Sequence, residues 1–149
     1  MKFLQLPVSV QAKQSQSIPF ANECISAGFP SPADDYIDIG IDLNEQLIRN
    51  PTSTFLLRVS GNSMTEAGIY NDDLLVIDRS LNPHPGHIVV AVLDGAFTLK
   101  RLTIQSGLLS LEAEHPDYPP INLQEYGDVQ IWGVAVYSIH NLHKIKSSK

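Results

Sequence analysis

A serine and a lysine are the two residues of this chain whose types and settings could do chemistry together. Ser63 follows an apolar run in "FLLRVSGNSMTEAG", where a strand should turn, and a serine hydroxyl is a poor nucleophile unless a base takes its proton. Lys100 lies among apolar neighbours in "GAFTLKRL". Desolvation lowers the pKa of a buried lysine, so such a lysine beside a serine could act as the general base. From these residues alone, an ordinary turn serine and a solvated surface lysine remain the alternative.

Other residues that often do chemistry give weaker patterns. The five histidines lie in turns, in loops or near the tail, show no zinc-binding spacing, and are expected to be surface or loop residues. Arg101 cannot serve as a base because its guanidinium stays protonated. The single cysteine, Cys24, excludes an internal disulfide. "SGNSMTEAG" lacks the lysine and the helix of a phosphate-binding loop. The sequence therefore predicts neither a metal nor a cofactor.

Composition restricts the class of protein. The chain has 149 residues, a hydrophobic fraction of 43% and a net charge of −6. The negative charge argues against sequence-specific DNA binding, which usually requires a basic face. The first residues do not resemble a secretory signal, and no apolar stretch approaches the roughly 20 residues that span a bilayer. We therefore expect a cytoplasmic protein with no membrane partner.

Strand signals dominate the chain from Thr54 onward. Short runs rich in β-branched and aromatic residues alternate with turn residues; they are "TFLLRVS", "DLLVIDRS", "HIVVAVLDG", "AFTLKRL", "GLLSLEAE" and "VQIWGVAVYSI". Asp94-Gly95 between two of these runs is a strong hairpin signal. Closely spaced strands without helices between them predict a mostly β fold with an antiparallel, curled or sandwiched sheet.

The first part of the chain reads differently. Residues 1–43 are polar and interrupted by prolines, and we interpret them as an extended N-terminal arm on a β domain of residues 44–149. "IDLNEQLIRNP" predicts a short helix that starts at Asp42 or Asn44 and is stopped by Pro51.

The segment from Ser60 to Leu102 resembles the catalytic domain of the LexA/UmuD family of self-cleaving Ser-Lys serine peptidases. Their pattern is a Ser-Gly-Asp-Ser-Met turn, a Gly-Ile loop, an acidic residue before a strand, a Gly-Asp-Ile-Val strand and a lysine after a hairpin. The resemblance covers residues from about 25 to 140 and implies the family's curled antiparallel sheet, related to that of signal peptidases. It also implies that Ser63 is the nucleophile and Lys100 the general base, with Asn62 and Met64 flanking the nucleophile in the substrate and oxyanion region.

Three positions depart from the family pattern. Asn62 replaces the usual Asp, Asn71-Asp72 replaces Asp-Gly, and His87 replaces the Asp of Gly-Asp-Ile-Val. None of these changes removes a catalytic atom, so they concern the rate of the reaction and not its class.

The resemblance also gives the arm a meaning. "SAGFPSPADDYIDIGIDLNEQLI" is similar to the segment that UmuD-type members of the family cut in themselves, which implies cleavage between Ala27 and Gly28. Two small residues suit close approach of the backbone to a serine. Only 27 residues precede Gly28, with no helix pair for reading DNA, so the expected branch is UmuD and not the LexA repressors.

That branch implies particular partners: a second copy of the chain as a homodimer, a RecA–single-stranded-DNA filament that stimulates self-cleavage, and a UmuC-type Y-family polymerase in translesion synthesis. Two other classes stay open from the sequence. One is a Ser-Lys protease that acts on other proteins, and the other is a non-catalytic accessory protein of the same fold.

Overall fold

The structure, a computed structural model, describes residues 2–3, 8–9, 17–21, 27–28 and 37–143. The elements in these residues are nearly all strands. They are β1 (Lys2–Phe3), β2 (Val8–Ser9), β3 (Ser17–Ala21), β4 (Ile37–Asp42), α1 (Leu43–Leu47), β5 (Thr54–Ser60), β6 (Leu74–Asp78), β7 (Ile88–Leu93), β8 (Ala96–Gln105), β9 (Leu108–Glu112), β10 (Ile121–Asn122) and β11 (Val129–Ile139), with 3₁₀ turns at Pro51–Ser53, Thr65–Ala67 and Leu123–Glu125.

One antiparallel sheet contains most of these strands. Its order is β1-β5-β6-β11-β7-β8-β9-β10, with β2 pairing to β5 beside β1. β1 also contacts β8, which lies well across the sheet, so the sheet is curled and not flat. The predicted fold class, a mostly β curled antiparallel sheet, is confirmed.

The chain divides into two compact units. The larger contains residues 1–10 and 50–149, and the smaller contains residues 11–49, in which β3 pairs with β4. The sequence suggested a boundary at residue 43, whereas the contacts set it at residue 49. They also group β1 and β2 with the larger unit, because both strands pair with β5.

Local sequence signals correspond to the observed turns and caps. Asp94 and Gly95 have φ of 47° and 84° and join β7 to β8, which confirms the predicted hairpin. The side chain of Asp42 accepts a 2.8 Å hydrogen bond from the backbone N–H of Asn44 and caps α1, which confirms the short helix and its start.

The core consists of two apolar clusters inside the curled sheet, and all their fully buried members lie between residues 57 and 134. The first cluster is packed under the Ser63 turn and contains Leu57, Val59, Met64, Ile69, Leu75, Ile77, Val90 and Leu99. Trp132 closes one side of it, with its ring edge-on to Phe55 and Phe97 and the Arg79 guanidinium over its face.

β11 lies between β6 and β7 and ties the two halves of the sheet together. Its register with β7 shifts between Ile131 and Gly133, which is a β-bulge. A Cβ on Gly133 would lie 2.6 Å from Cγ2 of Ile77 in β6, so only glycine lets β11 approach β6 this closely.

Candidate active site

The turn after β5 positions Ser63. Gly61 has φ of 102° and donates its backbone N–H to Oδ1 of Asn71 over 2.8 Å. The carbonyl of Met64 then accepts from the N–H groups of Ala67 and Ile69, which closes the turn. Since glycine adopts such a φ without a steric penalty, "SGNSM" forms a tight turn at the end of the strand.

The turn points into the protein. Ser63 is 1% exposed, and the neighbouring Met64 is fully buried in the first apolar cluster. The thioether side chain therefore anchors the turn in the core while the serine hydroxyl sits beside it. A polar loop serine on the surface would not show this burial.

Lys100 reaches the same place from β8. It pairs with Val89 of β7, is 4% exposed, and its Nζ lies 3.3 Å from Oγ of Ser63. Nζ also donates to the carbonyl of Leu99 over 3.2 Å. The solvated surface position that a strand lysine usually takes does not apply here, because both faces of β8 are covered at Thr98, Leu99 and Lys100.

Burial sets the electrostatics of this pair. Desolvation lowers the pKa of Lys100 below its ordinary value, because an ammonium loses its hydration when buried. The neutral amine is thereby favoured, and a neutral amine 3.3 Å from a hydroxyl can accept its proton. The arrangement can thus activate a serine for nucleophilic attack.

A buried carboxylate supports the segment between the turn and β6. Asp73 is 1% exposed and accepts hydrogen bonds from the N–H of Tyr70 at 2.8 Å and the hydroxyl of Ser138 at 3.2 Å. Nδ1 of His140 lies 2.5 Å from its other oxygen. His140 is exposed, as expected of a surface or loop histidine, and its ring also joins the end of β11 to this loop.

The structure shows how the chain accommodates two of the three departures from the family pattern. Asp72 occupies the position where the family has glycine, and its φ is 71°, in the left-handed region that glycine favours. Nδ1 of His87 accepts a 3.1 Å hydrogen bond from the N–H of His84, as a carboxylate oxygen would in the same turn.

The remaining candidate residues lie on the surface. Asn62 is exposed beside Ser63, and Ala27 and Gly28 form an exposed bend in the smaller unit. The structure thus brings Ser63 and Lys100 into contact, flanked by Asn62 and Met64. No group of His, Cys, Asp or Glu that could hold a metal occurs within the described ranges.

Sequence reasoning missed one residue beside the site. Glu114 donates its backbone N–H to the carbonyl of Ser63 over 2.8 Å, and its carboxylate binds Nε of Arg101. Glu114 lies in "EAEHPDYPP", which has no motif character. The available signal was the register of the β8–β9 hairpin: Arg101 pairs with Glu112, so a residue just beyond β9 lies beside the stretch of β8 that carries Lys100.

A curled antiparallel sheet that carries a buried serine and lysine in hydrogen-bond contact defines a peptidase-like protein. Residues 19–136 match the Peptidase S24-like family, and the chain belongs to this family of serine peptidases, the LexA/UmuD group. The described part of the chain has no helix long and apolar enough to cross a membrane.

Individual relatives agree with the UmuD-like assignment. The chain is 41% identical to protein ImpA of Escherichia coli over 128 residues, which cover 85% of this chain and 86% of ImpA. It is 40% identical to protein SamA of Salmonella typhimurium over 137 residues, 92% of this chain and 95% of SamA. Its identity to the LexA repressor of Shewanella oneidensis is 32% over 139 residues, 93% of this chain and 66% of the repressor.

Proposed function

We propose that this chain cleaves itself between Ala27 and Gly28, with Ser63 as nucleophile and Lys100 as general base. The observation that carries the proposal is the buried 3.3 Å contact between Nζ of Lys100 and Oγ of Ser63. Family membership supports a peptidase reaction, and the exposure of the bend at Ala27 and Gly28 supports that bond as a substrate.

The reaction has the steps of serine acyl transfer. Neutral Lys100 accepts the hydroxyl proton of Ser63, whose oxygen attacks the carbonyl carbon of Ala27. Backbone N–H groups around Asn62, Ser63 and Met64 stabilise the oxyanion of the tetrahedral intermediate. The intermediate collapses, the amine of Gly28 leaves with a proton from the Lys100 ammonium, and water then releases the acyl group.

Connection of the substrate to the enzyme explains how weak binding can suffice. An arm in the same chain, or in a second copy of a dimer, is present at high effective concentration. The rate is then limited by how often the arm adopts the cleavable pose, and a RecA–single-stranded-DNA filament would stimulate cleavage by favouring that pose. The processed homodimer would act with a UmuC-type Y-family polymerase in translesion synthesis during the SOS response.

Incubation of the purified chain at alkaline pH, followed by intact-mass spectrometry, tests the reaction. We expect two products that separate at Ala27 and Gly28, and no products from Ser63→Ala or from Lys100→Arg, since arginine does not give up its proton. Ser63→Ala removes a single buried hydroxyl oxygen, so it should remain folded by circular dichroism.

Other outcomes favour the other two classes. Cleavage of an added protein without self-cleavage would indicate a protease that acts on other substrates. An intact chain under all conditions, including addition of a RecA–single-stranded-DNA filament, would indicate a non-catalytic accessory protein.

A further inference from the structure

The backbone of Glu114 spans the catalytic turn. Its N–H donates to the carbonyl of Ser63 over 2.8 Å, and its carbonyl accepts from the N–H of Glu66 over 2.9 Å. These two bonds hold both ends of the four-residue stretch from Ser63 to Glu66. The position of the serine therefore depends on where the segment after β9 is held.

The side chain of Glu114 is what holds that segment to the sheet. Its carboxylate binds Nε of Arg101, and the same guanidinium donates to the carbonyl of Gly86 over 2.7 Å. Arg101 is the residue after Lys100 in β8. The strand that carries the lysine thus also holds, through its next side chain, the segment that holds the serine.

We propose that Arg101 and Glu114 form a positioning pair that sets the Ser63 hydroxyl at its working distance from Lys100. This inference rests on the proposed self-cleavage reaction. The two side chains are 32% and 27% exposed, so their ion pair by itself contributes little to the free energy of folding. Its effect lies in geometry, because a nucleophile displaced by about 1 Å can lose up to about 100-fold in rate.

The test measures two properties of Ser63 in the full-length chain: the rate of Gly28-fragment formation between about pH 7 and 10, and the rate of labelling by a fluorophosphonate. We expect Glu114→Gln to lower both rates by about tenfold. The pH midpoint of cleavage should stay in place, because Lys100 keeps its surroundings. Glu112→Gln is the control: it removes the same charge two residues earlier, at the end of β9, where the carboxylate accepts from Nε2 of Gln105, and we expect a change of less than about twofold.

A double variant tests whether the two residues act as a unit. The double variant Arg101→Gln/Glu114→Gln should cleave no more slowly than Glu114→Gln alone, because Glu114→Gln by itself already breaks the ion pair. Arg101→Lys keeps the charge but loses the planar fork, and we expect an intermediate rate. Thermal unfolding of each variant identifies any that fail to fold. If the glutamine variants do not fold, the cleavage rate of Arg101→Lys, the mildest change, tests the positioning pair.

Each outcome separates the positioning pair from the proposed function. The positioning role is overturned if Glu114→Gln cleaves and is labelled at wild-type rates. It is also overturned if the pH midpoint of cleavage shifts upward, because that shift would mean that the variant admits water to Lys100. Labelling of Ser63 in a wild-type chain that never yields the Gly28 fragment overturns self-cleavage, and the labelling rates then still decide the pair. A wild-type chain that shows neither reaction overturns both.

Discussion

Lys100 is the residue whose environment decides the chemistry. Its burial lowers its pKa, so the fraction of neutral amine at a given pH exceeds that of an exposed lysine. The same burial makes the charged form costly to the folded state. The proposed self-cleavage and the stability of the fold should therefore both respond to pH through this one group, and they can be measured separately.

We predict that self-cleavage accelerates as pH rises above neutrality, because the working base is the neutral form of Lys100. The midpoint should lie below about 10.4, the ordinary lysine pKa, since burial shifts the equilibrium toward the amine. The measurement is the initial rate of fragment formation at a series of pH values at constant ionic strength. A profile with no rise above neutral pH would contradict a lysine base.

Lys100→Met should abolish cleavage and raise the free energy of unfolding at neutral pH by roughly 1 to 4 kcal/mol, as when buried ionic groups are replaced by apolar ones. A lysine whose folded pKa is lowered binds fewer protons when folded, so the wild-type chain gains stability as pH rises between its folded and unfolded pKa values. The advantage of Lys100→Met should therefore shrink toward alkaline pH. Urea unfolding at neutral and alkaline pH measures this, with Ser63→Ala as the inactive control. If Lys100→Met exceeds the wild-type chain in free energy of unfolding by the same amount at both pH values, the link between the pKa of Lys100 and stability is refuted.

At the scale of elements, the close approach of β11 to its neighbour β6 depends on a missing side chain at Gly133. Gly133→Ala puts a Cβ 2.6 Å from Cγ2 of Ile77, which is fully buried, so the strand or the side chain must shift. We expect a loss of about 1 to 3 kcal/mol in the free energy of unfolding, the usual cost of overpacking. Gly127→Ala is the matched control, because its Cβ would meet only Oδ1 of Asp94 at 3.9 Å. Equal stability of the two variants in urea unfolding would mean that β11 shifts to accommodate the methyl.

The carboxylate of Asp78, at the end of β6, holds the residues that lie just before β5. Burial alone would raise the pKa of Asp78, but hydrogen bonds from Ser80, Asn50 and Ser53 outweigh it and the pKa lies below its ordinary value. The bonds include 2.7 Å from Nδ2 of Asn50 and 2.6 Å from the hydroxyl of Ser80. The second and longer stretch of the larger unit begins at Asn50, so this cluster holds the start of that stretch to the end of β6.

Asp78→Asn should lower the free energy of unfolding at neutral pH by about 1 to 3 kcal/mol, because charge-assisted bonds are replaced by weaker or mismatched ones. A carboxyl whose folded pKa is depressed stabilises the protein above its unfolded pKa of about 3.9, and this contribution disappears as pH falls through the folded pKa. The deficit of the variant should therefore narrow in acid. Urea unfolding at neutral and acidic pH checks this, with the exposed Asp117→Asn as control. A deficit that persists unchanged in acid would point to lost packing instead.

At the scale of the whole molecule, the proposed cleavage between Ala27 and Gly28 would remove more than a polar arm. β1 and β2 precede the cut and pair with β5, so their loss uncovers one edge of the sheet from Phe55 to Ser60. Among the residues whose burial is described, the fully buried members of the two apolar clusters nevertheless lie between residues 57 and 134. The processed chain should therefore keep its fold and gain an unpaired strand edge that a partner can use.

We expect the 28–149 fragment to unfold cooperatively within about 1 to 2 kcal/mol of full-length Ser63→Ala, to remain dimeric, and to bind a UmuC-type polymerase more productively. Urea unfolding, sedimentation and pull-down of the polymerase compare the two forms side by side. Equal activation of lesion bypass by both forms would mean that cleavage is not the switch.

Local chemistry was enough to determine much of this protein from its sequence. Alternating β-branched runs and Asp94-Gly95 indicate an antiparallel sheet, and Asp42 marks the start of a short helix, because these signals act over a few residues. The helix ends at Leu47, before the predicted stop at Pro51. Ser63 and Lys100 were identifiable as a pair only with the help of a family pattern, since nothing local says that two distant residues meet. Their separation in sequence is closed by the curl of the sheet.

Only the tertiary structure decided what surrounds that pair. Whether Lys100 is solvated or buried depends on which strands cover both faces of β8, and the alternation of its side chains does not contain that information. The roles of Glu114, His140 and Gly133 arise from bonds and close approaches between segments far apart in the chain. Such contacts are set by how the sheet closes on itself, a property of all its strands together and of no single stretch of residues.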